Sequence, residues 1–307
     1  MALLALTTDV PVHDPVIVKE GGTYYCFSTH GQFYASPDLR TWKYAGKVFE
    51  RLPAWTRQAV PALRGEDFWA PELVLRDGLW RLYYAVSTFG KNTSAIGMAV
   101  NKTLDPASPD YAWQDCGAVV TSAAGDRYNA IDPAVCADSS GQDWLLFGSF
   151  WGGLVLVPLD ADGLLAHGAE PRFVASRATD ANPAPDPNPI EGGFIYPHGG
   201  RYYLFASHDF CCRGTASSYH IVVGAADAIT GPYRDAAGVL LLSGGGTTLR
   251  DGLSFARWAG PGHNSVFQDD DGTVYLIYHA YDRTDEGRSK LLIDKVIGWD
   301  ADGWPVL

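Results

Sequence analysis

Little in this sequence favours helices. No window keeps apolar residues at helical spacing over four turns. No apolar run approaches the ~20 residues that a bilayer-spanning helix needs, so no membrane partner is expected. Basic residues are scarce, with 23 Lys and Arg against 35 Asp and Glu and a net charge of -12. So acidic a chain repels phosphate backbones and polyuronates. That argues against nucleic acid or pectate-like ligands and makes a neutral ligand the simpler expectation. No CxxC pair or Cys/His spacing of a zinc site occurs. No Gly-rich phosphate loop links a strand to a helix, so no nucleotide or redox cofactor is expected. The opening MALLAL is apolar but short and has no basic flank, so no signal peptide is read there.

What is present suits short strands. Gly (34) and Pro (19) are plentiful, as are Trp (10) and Tyr (16), and 47% of residues are hydrophobic. Aromatic side chains accept the apolar C–H faces of sugars, although most here are expected to pack in strand cores. The five cysteines are Cys26, Cys116, Cys136, Cys211 and Cys212. Cys26 and Cys136 fall inside apolar strands and read as buried thiols. Adjacent Cys211 and Cys212 read as either a vicinal disulfide or two thiols in a loop.

One phrase recurs five times: a polar residue, a small residue, an apolar strand, a Gly turn and an aromatic strand. It reads HDPVIVKEGGTYYCFST from His13, APELVLRDGLWRLYYAVST from Ala70 and DPAVCADSSGQDWLLFGSF from Asp132. It returns as EGGFIYPHGGRYYLFAS from Glu191 and HNSVFQDDDGTVYLIYHAY from His263. Starts at Asp14, Ala70, Asp132, Glu191 and His263 are 56, 62, 59 and 72 residues apart. Alternation and the EGG, RDG, SSGQ, HGG and DDDG turns make each copy a β-hairpin. Further strands are expected at Ala95–Val100, Leu154–Leu159 and His220–Ala225. Four strands in each of five units predict an all-β, five-bladed β-propeller filling residues 1–307 as a single domain. A two-sheet sandwich accommodates so long a period poorly. The Pro-rich DANPAPDPNPI lies between the third and fourth copies and reads as a rigid loop between blades.

In a propeller the innermost strands start at one end of a central channel. Three of the five starts are carboxylates, Asp14, Asp132 and Glu191, and a fourth is His263. A lone Asp-Pro mostly starts a turn. Three acids brought to one mouth by the repeat point instead to glycoside hydrolysis, with one carboxylate activating water and one carboxylic acid protonating the leaving oxygen. A third negative charge would keep that acid protonated near neutrality.

The segments VHDPVIVKEGGTYYCFSTHG, FWAPELV, YYAVSTFGKNTSAIGMA, NAIDPAVCADSSGQDWLLFGSFWGGL, IEGGFIYPHGGRYYLFASHDFCCRG and GPGHNSVFQDDDGTVYLIYHAYD span nearly the whole chain. Together they resemble the arabinanases (endo-1,5-α-L-arabinosidases) of glycoside hydrolase family 43. The resemblance implies a five-bladed propeller that hydrolyses internal α-1,5-arabinofuranosidic linkages of arabinan, a plant cell-wall polysaccharide, with inversion. It assigns Asp14 as general base, Glu191 as general acid and Asp132 as the residue tuning and orienting that acid. Base and acid are then expected roughly 6.5–9.5 Å apart, leaving room for water. It implies sugar contacts at Trp69, Gly90, Asn129, Ala130, Ile131, Ser149, Phe150 and Trp151. It places a calcium or similar ion near His263. One imidazole is a poor ligand for so hard a cation, so water must supply most of the coordination. A hydrogen-bonded core histidine is the other reading.

The family motif around the acid is Ile-Glu-Ala-Pro, whereas here it is Ile190-Glu191-Gly192-Gly193. Two glycines are expected to loosen the backbone there. SPDLRTW (Ser36–Trp42) resembles a sialidase Asp-box but lacks its spacing, and reads as a turn. Two rivals remain open: an exo-acting arabinofuranosidase or β-xylosidase of the same fold, and a non-catalytic sugar-binding propeller. A monomer is expected. Relatives of this kind are commonly secreted.

Overall fold

The computed structural model describes residues 6–253, 255–296 and 298–307. Among the described residues, five four-stranded antiparallel sheets, one per sequence copy, form a five-bladed β-propeller, and Gly298–Trp299 pairs with Pro305–Val306 in a small separate ribbon. Blade 1 consists of Val16–Glu20, Thr23–Phe27, Gln32–Ser36 and Lys43–Lys47. Blade 2 consists of Trp69–Arg76, Leu79–Val86, Ser94–Asn101 and Gln114–Ser122. Blade 3 uses Ala134–Ala137, Asp143–Phe147, Leu154–Pro158 and Arg172–Ala175. Blade 4 uses Ile190–His198, Arg201–His208, His220–Ala226 and Thr247–Arg250. Blade 5 takes Trp258–Gln268, Val274–Asp282 and Ser289–Val296 from the end of the chain, and Leu6–Thr7 from its beginning. Leu6 pairs with Ile293 and Thr7 with Leu292, so one sheet holds both ends of the ring.

The strands read as apolar runs because both faces of each blade are covered. Odd and even positions go to opposite neighbours. In blade 1, Phe27 and Phe33 pack against Leu82 and Tyr84 of blade 2. The alternate residues Ile17 and Cys26 pack against Ile277 and Ile293 of blade 5. Tyr83 and Ile96 join blade 2 to Leu145 and Val155 of blade 3. Leu146 and Leu156 join blade 3 to Leu204 and Val222 of blade 4. Phe205 and Val223 join blade 4 to Leu276 and Leu292 of blade 5. Each interface thus has its own apolar cluster, and the five close a circle. Burying one such Leu, Ile or Phe contributes roughly 1.5–3 kcal/mol.

Helix is confined to Trp55–Ala59 and a few 3-10 turns among the described residues. The Pro-rich segment joins Arg172–Ala175 to Ile190–His198, as a loop between blades 3 and 4. Ser36–Trp42 is a turn in which Asp38 accepts the N–H groups of Arg40 and Thr41. Cys26 and Cys136 are buried free thiols, whereas Cys211 and Cys212 form a disulfide.

Candidate active site

Each inner strand is entered through the same backbone device. Asp14, Ala70, Asp132 and His263 have φ of 54°, 44°, 58° and 49°, and Gly192 has 57°. Left-handed backbone is costly for residues with a Cβ. Its recurrence at one place per blade is a structural requirement, and the pairing register breaks beside it in blades 2, 4 and 5. This kink lets a side chain leave the sheet and face the channel mouth. It also corrects the expected register: Gly192, not Glu191, is the blade 4 counterpart of Asp14, Asp132 and His263. Glu191 stands one residue earlier, level with His13 and Trp69.

Gly192 therefore does not loosen the strand. It occupies the left-handed position, and a Cβ there would lie 3.1 Å from the Cα and ring of His263. Its N–H donates to Asp132 Oδ2 at 3.1 Å. A Cβ on Gly193 would lie 2.8 Å from methyl carbons of Leu146 and Leu154, inside the blade 3–4 core.

The three carboxylates meet as expected. All are buried and line one cavity of about 1060 Å³, shared by residues of all five blades. Asp14 has the richest set of partners. Its Oδ2 accepts from Thr29 Oγ1 at 2.6 Å, and its Oδ1 lies 2.8 Å from His13 Nδ1 and 3.0 Å from His263 Nδ1. Its N–H donates to His279 Nδ1 at 3.1 Å. Burial opposes ionisation of Asp14, but His13 and His263 overcome it and hold the carboxyl well below its ordinary range. Glu191 is held by Ser149 Oγ on Oε2 at 2.6 Å and by the Tyr219 hydroxyl on Oε1. Burial pushes Glu191 upward despite those two donors, and the charge of Asp14 adds to it. Asp132 is pushed up to about 7, first by burial and then by Glu191 and Asp14, with His263 opposing. One carboxylate fixed as an anion thus faces two whose ionisation is resisted.

Most expected sugar contacts line the same cavity: Trp69, Gly90, Asn129, Ile131, Ser149, Phe150 and Trp151. Trp69 also packs against the blade 2–3 core, so it serves wall and core together. Ser149 holds Glu191 as well as lining the wall. Ala130 is a correction. It is fully buried in the blade 2–3 core, and its N–H donates to Ser122 Oγ at 2.9 Å. Sequence reasoning missed Thr29, Tyr219, His13 and His279. Of these only His13 carries a local signal, its place immediately before Asp14.

His263 faces the carboxylates, and Asp14, Asp132 and Glu191 raise it to about 9 against the opposing effect of burial. Beneath it lies a small cavity in the channel, lined also by Glu72, Asn264 and Ser265. Both side-chain amide atoms of Asn264 are buried there without a partner among the described residues. Glu72, the fourth residue of its strand, is pushed up to about 8 by burial, with Val135 N–H and the charge of His263 opposing. Oxygen atoms of Glu72 and Asn264 suit a hard cation completed by water, beside a His263 that would give up its proton to that charge, so the donor set fits the expected ion. Among the described residues, the tighter groups of potential ligands are His13–Asp14–His279 and His13–Cys211–Cys212, and neither includes His263.

Comparison with known proteins shows the family and the fold. The chain is 46% identical over 306 residues to an extracellular exo-α-(1→5)-L-arabinofuranosidase of Cellvibrio japonicus, covering 96% of this chain and 86% of that protein. It is 37% identical over 300 residues to an extracellular endo-α-(1→5)-L-arabinanase of Bacillus subtilis, covering 96% and 87%. The solved structure of Cellvibrio cellulosa α-L-arabinanase complexed with arabinohexaose superposes with a TM-score of 0.91 at 45% identity, covering 96% of this chain and 95% of that one. The family model of Glycosyl hydrolases family 43 matches residues 8–305. The chain belongs to glycosyl hydrolases family 43.

Proposed function

We propose that the protein hydrolyses α-1,5-linked L-arabinan with inversion at the anomeric carbon. The observation that carries this reading is the convergence of Asp14, Asp132 and Glu191, buried, on one cavity with opposed protonation tendencies. Asp14, held as an anion by its histidines and Thr29, accepts a proton from the attacking water. Glu191, kept protonated by burial, gives its proton to the leaving oxygen. Asp132 orients the blade 4 strand through Gly192 N–H and resists ionisation of Glu191 through its own charge. A cavity of about 1060 Å³ exceeds what one pentose needs and suits several linked residues. Phe150, Trp151 and Phe210 give its wall apolar faces for furanose rings. Glu72, Asn264 and His263 would hold a calcium-like cation, whose positive charge would steady the carboxylates above it.

Release of short products from a chain end is the cleavage mode we favour. Pro185, Asp186, Pro187 and Asn188 of the inter-blade loop form part of the cavity wall, where they would limit one end of the cleft. The 46%-identical relative is named as an exo enzyme. Internal cleavage is the second reading, favoured by the arabinanase-like NAID, SFWGG and DFCCRG segments and by the 37%-identical endo relative. NMR of a digest of linear arabinan tests both readings together with stereochemistry. A single short product of inverted configuration from the start supports terminal release. Mixed oligomers early in the digest support internal cleavage. Retention of configuration, or binding without hydrolysis, overturns the proposal.

A further inference from the structure

The segment after Arg201–His208 brings Phe210, Cys211, Cys212 and Arg213 to the cavity wall. Cys211 and Cys212 are joined side by side, and Cys212 takes a left-handed φ of 63°. A covalent ring through two adjacent residues leaves that backbone little freedom. In this conformation the Cys212 N–H donates to the Tyr281 hydroxyl at 2.8 Å. The hydroxyl in turn lies 2.8 Å from His13 Nε2, and His13 Nδ1 lies 2.8 Å from Asp14 Oδ1.

The directions of these bonds follow from the donors available. Tyr281 oxygen receives the Cys212 N–H, and with a neutral imidazole its own proton goes to His13 Nε2. The imidazole proton then sits on Nδ1 and is donated to Asp14. The series ends on a carboxylate, where polarisation of the chain is greatest, and Cys212 Sγ itself lies 3.9 Å from His13 Nε2. His13 is steadied further by stacking on His279 at 3.7 Å between ring centres. Tyr281 is buried at 4% exposure, so no bulk water substitutes readily for the Cys212 N–H.

We propose that His13 and Tyr281 are positioning residues for Asp14, and that the Cys211–Cys212 disulfide anchors their outer end, so that reducing it slows turnover. The inference rests on Asp14 being the general base, as proposed above. A water-soluble phosphine is the appropriate reductant. It takes oxygen from water and becomes the phosphine oxide, the S–S bond breaks, and both sulfurs leave as thiols. Cys212 can then leave its left-handed conformation and withdraw its N–H from Tyr281. His13 loses its outer support and Asp14 its fixed aim at the water. Misplacement by about 1 Å can cost ~10²-fold in rate.

The test starts with the unmodified protein. Thiol titration after denaturation counts three free cysteines before reduction and five after it. With five thiols present, kcat on linear arabinan is expected to fall about tenfold or more with KM little changed, and to return on reoxidation. Tyr281→Phe, checked for folding by its thermal transition, is expected to show the same loss without reduction, and reduction should add nothing further. An unchanged kcat with five thiols overturns the proposal and needs no variant. So does a reduction effect of equal size in Tyr281→Phe, or an effect on KM alone, which would mean that the disulfide meets substrate instead. An oxidised protein that cleaves no arabinan would instead defeat the functional reading itself.

Discussion

The Gly192 N–H donates to Asp132 Oδ2 at 3.1 Å across the interface between blades 3 and 4. This bond ties Asp132 to the strand that presents Glu191. The two carboxyls also oppose one another: the charge of Glu191 helps push Asp132 up to about 7, after burial. Electrostatic coupling is reciprocal, so an ionised Asp132 must resist ionisation of Glu191. Asp132→Asn keeps an oxygen for Gly192 N–H but removes the charge. Glu191 then loses its proton at lower pH, and the alkaline limb of the kcat/KM profile should move down by about one unit. A profile with an unmoved alkaline limb would remove Asp132 from the tuning role.

Asp14 and Glu191 should separate cleanly by leaving group. Both Asp14→Ala and Glu191→Ala are expected to lose roughly 10³-fold or more in kcat on arabinan, beyond the usual contribution of a single acid or base. On an aryl arabinofuranoside with a very acidic phenol, the departing oxygen needs no proton. Glu191→Ala should recover much of its rate there, and Asp14→Ala should not. Recovery by Asp14→Ala instead would exchange the two roles.

The circular fold was legible because both faces of every blade are buried, which turns the strands into apolar runs punctuated by Gly turns. The meeting of Asp14 and Asp132 followed from that repeat. The offset of Glu191 did not, since Glu-Gly-Gly leaves open which residue takes the left-handed turn. That choice depends on the His263 ring, distant in sequence but 3.1 Å from where a Cβ on Gly192 would be. Ala130 looked like part of a binding motif, but its neighbours Asn129 and Ile131 face the cavity while it turns into the core. Tyr219 and Thr29 reach the carboxylates from strand ends and turns that carry no pattern of their own. Glu72 was hidden inside APELVL, where an inner strand read as uniformly apolar.

Glu72 provides a test of the channel. Burial raises it to about 8 in the folded protein, against an ordinary carboxyl near 4.5. Between those values the folded state holds a proton that the unfolded state has lost, so stability falls as pH rises through this window. Glu72→Gln removes that slope. In the cation-free protein the variant should match wild type near pH 4 and exceed it by about 1–3 kcal/mol near pH 8, read from urea unfolding. Calcium should then stabilise wild type more than the variant, because the anion repays its burial only beside a cation. Parallel stability curves for the two proteins would mean that folding does not raise Glu72, which then ionises in the channel as it does in the unfolded chain.

The two glycines after Glu191 should respond differently to the same added methyl group. Ala70 already takes the left-handed conformation in blade 2, so Gly192→Ala faces a backbone that alanine can adopt, at a cost of about 1–2 kcal/mol. The new Cβ lies 3.1 Å from the His263 ring, whose Nδ1 faces Asp14, so the displacement should appear mainly in kcat. Gly193→Ala instead drives a methyl group to 2.8 Å from Leu146 and Leu154 in a closed core. Overpacking there should cost roughly 1–3 kcal/mol, with a smaller effect on catalysis than on the melting temperature. Thermal unfolding and arabinan kinetics on both variants separate the effects. A Gly193→Ala protein as stable as wild type would show that the core yields where its packing says it cannot.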